Sequence, residues 1–267
     1  MSDLEKVFKM AKKTAKRFDL SGKSALLVGG NKGLGQAMAL GIASAGADVC
    51  IAGRGPQGLS ETAEAVSKLG SRGTSYAVDA TDENQVKNLI DFMVKTYGGI
   101  DILLNSQGMV YLQASTEFDL DSWQRVMDVN VKSLVLTCKH EGRVMLEKKK
   151  GKIINISSVR AFQGRAEDLA YAPSKGAVNQ LTRSLVIEWG PLGINVNGIA
   201  PVFTKTAMYE TFIKQYPEKG EWVLSRIPLK RLGELDDYFG PAIFLASEAS
   251  NFVNGHTLPV DGGWLGA

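Results

Sequence analysis

Tyr171 and Lys175 stand four residues apart in Tyr171-Ala172-Pro173-Ser174-Lys175, and Ser158 lies thirteen residues before the tyrosine, closing the apolar run Ile153-Ile154-Asn155-Ile156-Ser157. On a helix, positions i and i+4 share a face. An ammonium there sits beside a phenol and favours its ionised form, while a hydroxyl from the end of the preceding strand reaches the same point. A tyrosine so placed gives or takes a proton near neutral pH. Arg160, Gln163 and Arg165 follow the serine, and Asn130 lies upstream in Asp128-Val129-Asn130-Val131.

A second cluster lies near the N-terminus. Ala25-Leu26-Leu27-Val28 reads as a short buried strand, followed by Gly29-Gly30-Asn31-Lys32-Gly33-Leu34-Gly35 and a helical pattern through Ala45. Glycines let backbone approach a pyrophosphate, and a helix start offers free N–H groups and a positive dipole end. Together the two clusters resemble the short-chain dehydrogenase/reductase family, whose signatures are a T-G-x-x-x-G-x-G turn and a Ser, Tyr, Lys triad. The resemblance covers residues 18–264. Phe18-Asp19-Leu20-Ser21-Gly22-Lys23 and the stretch from Leu181 to Trp189 are similar to the gluconate 5-dehydrogenase and 2-deoxygluconate dehydrogenase branch.

Positioning these groups requires a sheet whose strand ends meet helix starts. Apolar strands at 24–28, 48–52, 74–77, 100–104, 152–156, 195–199 and 257–260 alternate with helical patterns at 33–45, 59–69, 83–96, 121–147 and 171–189. The alternation predicts an α/β fold, a doubly wound parallel sheet of Rossmann type in a single domain over 18–267, with ligands at the carboxyl ends of the strands. At 267 residues the chain is long enough to bury one full core. Residues 1–17 read as an amphipathic extension, with Leu4, Val7, Phe8 and Ala11 among lysines. A long excursion at 201–228 reads as a lid over the ligand edge.

Cofactor choice turns on the end of the second strand, where an acid would accept from ribose hydroxyls and repel a 2'-phosphate. Gly53 occupies that place, with Arg54 next and Lys32 in the glycine turn. Two cations converging on one phosphate predict NADP(H). By resemblance, Asp79 contacts adenine, Asn105 and Gly108 in Asn105-Ser106-Gln107-Gly108 support the adenosine side, and Pro201 and Thr206 meet the nicotinamide carboxamide. Val28 replaces the family's threonine, so hydrogen bonding in the turn must be replaced or lost, and Val202 replaces a glycine.

The resemblance implies a proton transfer coupled to hydride transfer. Tyr171 is then the acid for carbonyl reduction and the base for alcohol oxidation, Ser158 binds the substrate oxygen, Lys175 contacts ribose and lowers the tyrosine pKa, and Asn130 holds a relay water. Arg160, Gln163, Arg165, Tyr111 and Met208 are expected to line the substrate pocket, with Arg160 or Arg165 able to pair with a carboxylate. Either arginine could instead pair with Glu167 or Asp168. The expected substrate is a polyol, a sugar acid or another small polar carbonyl or alcohol. Two other readings are a 3-oxoacyl carrier-protein reductase, which needs a cationic docking patch, and a non-catalytic NADP-binding regulator, suggested by Val28, Ser106, Gln107 and Val202.

The net charge of +3 is dispersed, which gives nucleic-acid binding no support. The two cysteines, Cys50 and Cys138, belong to no metal-ligand pattern. The sequence contains neither an apolar run of membrane-spanning length nor a signal peptide, so a cytoplasmic protein without membrane or metal partners is expected. Helices 121–147 and 171–189 carry apolar residues on more than one side, and by resemblance they form a four-helix dimer interface while the C-terminus builds a second, giving a homotetramer.

Overall fold

The computed structural model describes residues 2–267. Seven parallel strands form its single sheet: β1 (Ser24–Val28), β2 (Asp48–Gly53), β3 (Gly73–Ala77), β4 (Ile102–Asn105), β5 (Gly151–Ile156), β6 (Ile194–Pro201) and β7 (Thr257–Val260). Their order is β3-β2-β1-β4-β5-β6-β7. The order reverses between β1 and β4, which pair from Ala25↔Ile102 to Val28↔Asn105 and open a crevice at their carboxyl ends. Every residue of β1 and β4 is buried, as expected of strands covered on both faces.

Helices cover both faces: α1 (Asp3–Ala11) stands apart, followed by α2 (Gly33–Ser44), α3 (Pro56–Lys68), α4 (Glu83–Tyr97), α5 (Leu120–Met127), α6 (Ser133–Lys148), α7 (Tyr171–Trp189), α8 (Ala207–Gln215), α9 (Lys219–Arg226) and α10 (Phe239–Ala246). One core packs Ala25, Leu27, Met38, Ile42 and Ile154 with Leu245 of α10, and the other packs Leu26, Leu89, Met93, Leu103 and Leu134. Each large side chain among them contributes roughly 1.5–3 kcal/mol by leaving water. α4 shows both end signals, since Asp82 accepts from the N–H groups of Asn84 and Gln85 and Gly98 ends it at φ 74°.

The doubly wound fold and the expected strands are present. Ile100 is an exception: it is fully buried but lies in the turn before β4. α3 begins earlier than its apolar spacing suggests because Pro56 is pre-organised for a first helical turn. The expected helix 121–147 is one run with a π-helical turn, Asp128–Lys132, between α5 and α6. Within 201–228 the chain forms α8 and α9 over a small apolar cluster of Val159, Val223, Ile227 and Trp264. α1 is capped by Ser2 and Glu5, and none of its residues is buried.

Candidate active site

The glycine turn follows β1. Gly29 and Gly33 adopt φ of 83° and 57°, and a Cβ at Gly35 would lie 2.1 Å from the Gly29 carbonyl oxygen, so strand end and helix start touch backbone to backbone. Where Val28 lacks a hydroxyl, backbone bonds hold the turn: Gly29 N–H donates to Ala52 O and Ser106 N–H to Val28 O, both at 2.8 Å. Leu34 packs on the core beneath. Asn31 fills the space beside Gly53, Gly55 and Gly58. Thr206 caps α8 and faces Gly33 across the crevice, where a Cβ would lie 3.8 Å from its methyl. Pro201 ends β6, paired with Val260, and Val202 is absent from the positive-φ positions, as a β-branched residue requires.

Lys32 and Arg54 are exposed at this rim, and neither forms an ion pair among the described residues. Asp79 accepts from the N–H and hydroxyl of Thr81, which with the nearby Arg54 hold its carboxyl below the ordinary range. Asn105 is a structural tie: its Nδ2 donates to Asn155 Oδ1 at 3.0 Å and its Oδ1 accepts from Thr137 at 2.8 Å. Gly108 leaves room for its neighbours, since a Cβ there would lie 3.5 Å from Lys175 Nζ and 3.6 Å from Asn130 Oδ1.

Deeper in the crevice the chemistry-bearing residues converge. Ser158 follows β5 and accepts from Arg160 N–H at 3.1 Å. Tyr171 opens α7, and Lys175, one turn on, places Nζ 5.7 Å from the tyrosine ring centre and donates to Ile156 O at 2.8 Å. Burial pushes the Tyr171 phenol up, opposed first by the Ser158 hydroxyl. Burial likewise brings the Lys175 ammonium down to about 8. Both groups are desolvated, and the ammonium is turned to a backbone carbonyl.

Asn130 sits in the π turn. Its Oδ1 accepts from Met109 N–H at 2.8 Å, and its Nδ2 donates to Met109 O at 3.0 Å and Ser174 Oγ at 2.9 Å. The side chain is thus engaged with protein groups, and the widened turn exists where these bonds replace regular helix packing.

The candidate pocket residues separate. Arg160 and Gln163 lie together beside Trp264, which donates from Nε1 to Gln163 Oε1 at 2.9 Å. Arg165 pairs with buried Asp168 at 3.1 Å. Tyr111 donates to Gln113 Oε1 at 2.7 Å and meets the Phe118 ring edge-on at 5.3 Å. Met208 is exposed on α8.

A family model described as enoyl-(acyl carrier protein) reductase matches residues 28–265. A short-chain type dehydrogenase/reductase structure from Mycobacterium marinum superposes with a TM-score of 0.88 at 32% identity, covering 94% of this chain and 98% of that one. The chain is a short-chain dehydrogenase/reductase. It is also similar to the 2-dehydro-3-deoxy-D-gluconate 5-dehydrogenase of Bacillus subtilis, 42% identical over 248 residues, or 93% of this chain and 96% of that protein. A gluconate 5-dehydrogenase from Burkholderia cenocepacia, solved in complex with NADP and tartrate, matches with a TM-score of 0.90 at 35% identity over 94% of this chain and 98% of that one.

In this short-chain dehydrogenase/reductase, sequence reading overlooked Ser174 and Trp264. Ser174 lies inside the Tyr-Lys segment and bridges Asn130 to Tyr171 O, accepting from the first and donating to the second at 2.7 Å. Trp264, 1% exposed, carries Arg160 on its ring. Its local sequence carries no signal of this contact, because Arg160 lies on a distant segment.

Proposed function

We propose that the chain interconverts a secondary alcohol and a ketone on a sugar acid, using NADP(H). The observation that carries this reading is the convergence of Ser158, Tyr171, Lys175 and Asn130 at the carboxyl ends of β4 and β5, beside the glycine turn. The family shown for the chain and the sugar-acid relatives support it.

The crevice fits a dinucleotide. Gly29, Gly33 and Gly35 leave backbone open where side chains would block it, and the start of α2 offers N–H groups. Lys32 and Arg54 supply charge for a 2'-phosphate, and Gly53 places no carboxylate against it. Asn31, Asp79, Asn105 and Gly108 would flank the adenosine side, with Pro201 and Thr206 towards the nicotinamide. Bound there, NADP(H) supplies or accepts the hydride. Tyr171 gives its proton to the new alcohol oxygen in reduction and takes one in oxidation. Ser158 hydrogen-bonds that oxygen, Lys175 holds positive charge beside the ribose and phenol, and Asn130 fixes the Met109 loop against α7. α8 and α9 act as a lid.

The carrier-protein reading requires exposed cations at the mouth, whereas Arg160 is buried and Arg165 is paired. NADPH absorbance with a panel of sugar acids, keto acids and polyols tests the proposal. Tyr171→Phe should lower turnover by at least about 10³-fold while NADPH still binds. Near wild-type activity in that variant would overturn the mechanism. Tight NADPH binding with no turnover across the panel would favour the regulator reading.

A further inference from the structure

Arg160 lies two residues past Ser158 and is 8% exposed. Its guanidinium lies over the Trp264 ring, 5.5 Å from the centre, and Nη1 reaches Gly164 O only at 3.5 Å, the outer limit of a useful hydrogen bond. Nη2 is buried with no hydrogen-bond partner among the described residues. Arg160 makes no ion pair among the described residues. The carboxylate in its field, Asp168, is engaged by Arg165 and by Ala172 N–H at 2.9 Å. Arg226 of α9 also lies 5.5 Å from the Trp264 ring, so the indole is shared by two like charges.

This arrangement is unfavourable for the chain by itself. A buried cation without a counter-ion is costly to desolvate, and an unmade N–H adds to that cost. Leucine or methionine would pack on Trp264 at neither cost. Location supplies the reason for the charge: Arg160 follows Ser158 by two residues, and its N–H donates to Ser158 Oγ at 3.1 Å.

We infer that Arg160 binds the carboxylate of the substrate through Nη2 and is the residue that selects sugar acids over neutral polyols. The inference rests on the sugar-acid reading above. Arg226, carried on the lid, adds positive charge when α9 lies over the pocket, whereas Arg165 is committed to Asp168.

Calorimetric titration of the NADPH-loaded protein with D-gluconate and D-glucitol isolates the carboxylate, because the two share a carbon chain and no hydride transfer follows. Gluconate should bind wild type at least about 10-fold more tightly. Arg160→Gln should abolish that preference, weakening gluconate about 10–100-fold while leaving glucitol and NADPH affinities unchanged. If Arg160→Gln does not fold, Arg160→Lys keeps the stem on Trp264 but loses the fork, and the preference should fall severalfold. Equal binding of the two probes by wild type, or a parallel loss of both in the variant, would overturn the inference. Retained gluconate preference in Arg160→Gln would overturn the role of Arg160 alone, whereas a wild type that binds neither probe and turns over no sugar acid removes the substrate reading as well.

Discussion

The Lys175 ammonium is almost wholly enclosed, and burial rather than any neighbouring charge brings its pKa down to about 8. Below that value lysine is charged both folded and unfolded, and the burial penalty is paid in full. Between about 8 and the unfolded value near 10.4 the unfolded chain binds more protons than the folded one, so stability rises with pH. Urea unfolding of the cofactor-free protein between pH 7.5 and 9.5 should show this rise. Lys175→Met should stabilise the chain at pH 7.5 by about 3 kcal/mol at most and flatten the pH dependence. Lys152, also lowered to about 8, contributes in parallel and is why the comparison with the variant, not the slope alone, decides. At this scale two adjacent hydroxyls take different surroundings. Ser157 donates to Asn179 Oδ1 at 2.6 Å and serves the fold, while Ser158 stands beside Tyr171. The stacking of Arg160 on Trp264 was not legible, because it joins residues on opposite sides of the lid that no local spacing relates.

Strands were legible because those covered on both faces must be apolar throughout, and α7 because its starting tyrosine and closing Trp189 bracket an uninterrupted period. The π turn was not, since its cause is Asn130 bonding to Met109 on a different segment. α6 hides another departure from its sequence pattern. Glu141 is 0% exposed, neither carboxylate oxygen has a partner among the described residues, and burial raises its pKa well above the ordinary glutamate range. The unfolded chain releases that proton at ordinary acidity while the folded chain retains it, so the cost grows as pH rises above about 4.3. Glu141→Leu should raise stability by about 1–4 kcal/mol, with a larger gain at pH 8 than at pH 5. A loss of stability in denaturant titration at both pH values would show that the carboxyl has a structural role.

Across the whole molecule, apolar side chains remain on the outer faces of the long helices: Leu120 of α5 is 76% exposed, Ile187 of α7 is 80% exposed, and Val135 of α6 is 40% exposed. Their covering by further copies of the chain is the expected outcome, and light scattering should give about 115 kDa, four times 28.8 kDa. A 28.8 kDa species at micromolar concentration would mean that these faces stay open to water. The described residues include no helix long and apolar enough to cross a membrane. The pocket wall has a temporal consequence as well. Arg160 and Trp264, on whose ring its guanidinium rests, are separated in sequence by elements that include β6, α8 and α9, so their stack can form only after those three have been synthesised and folded back over the crevice.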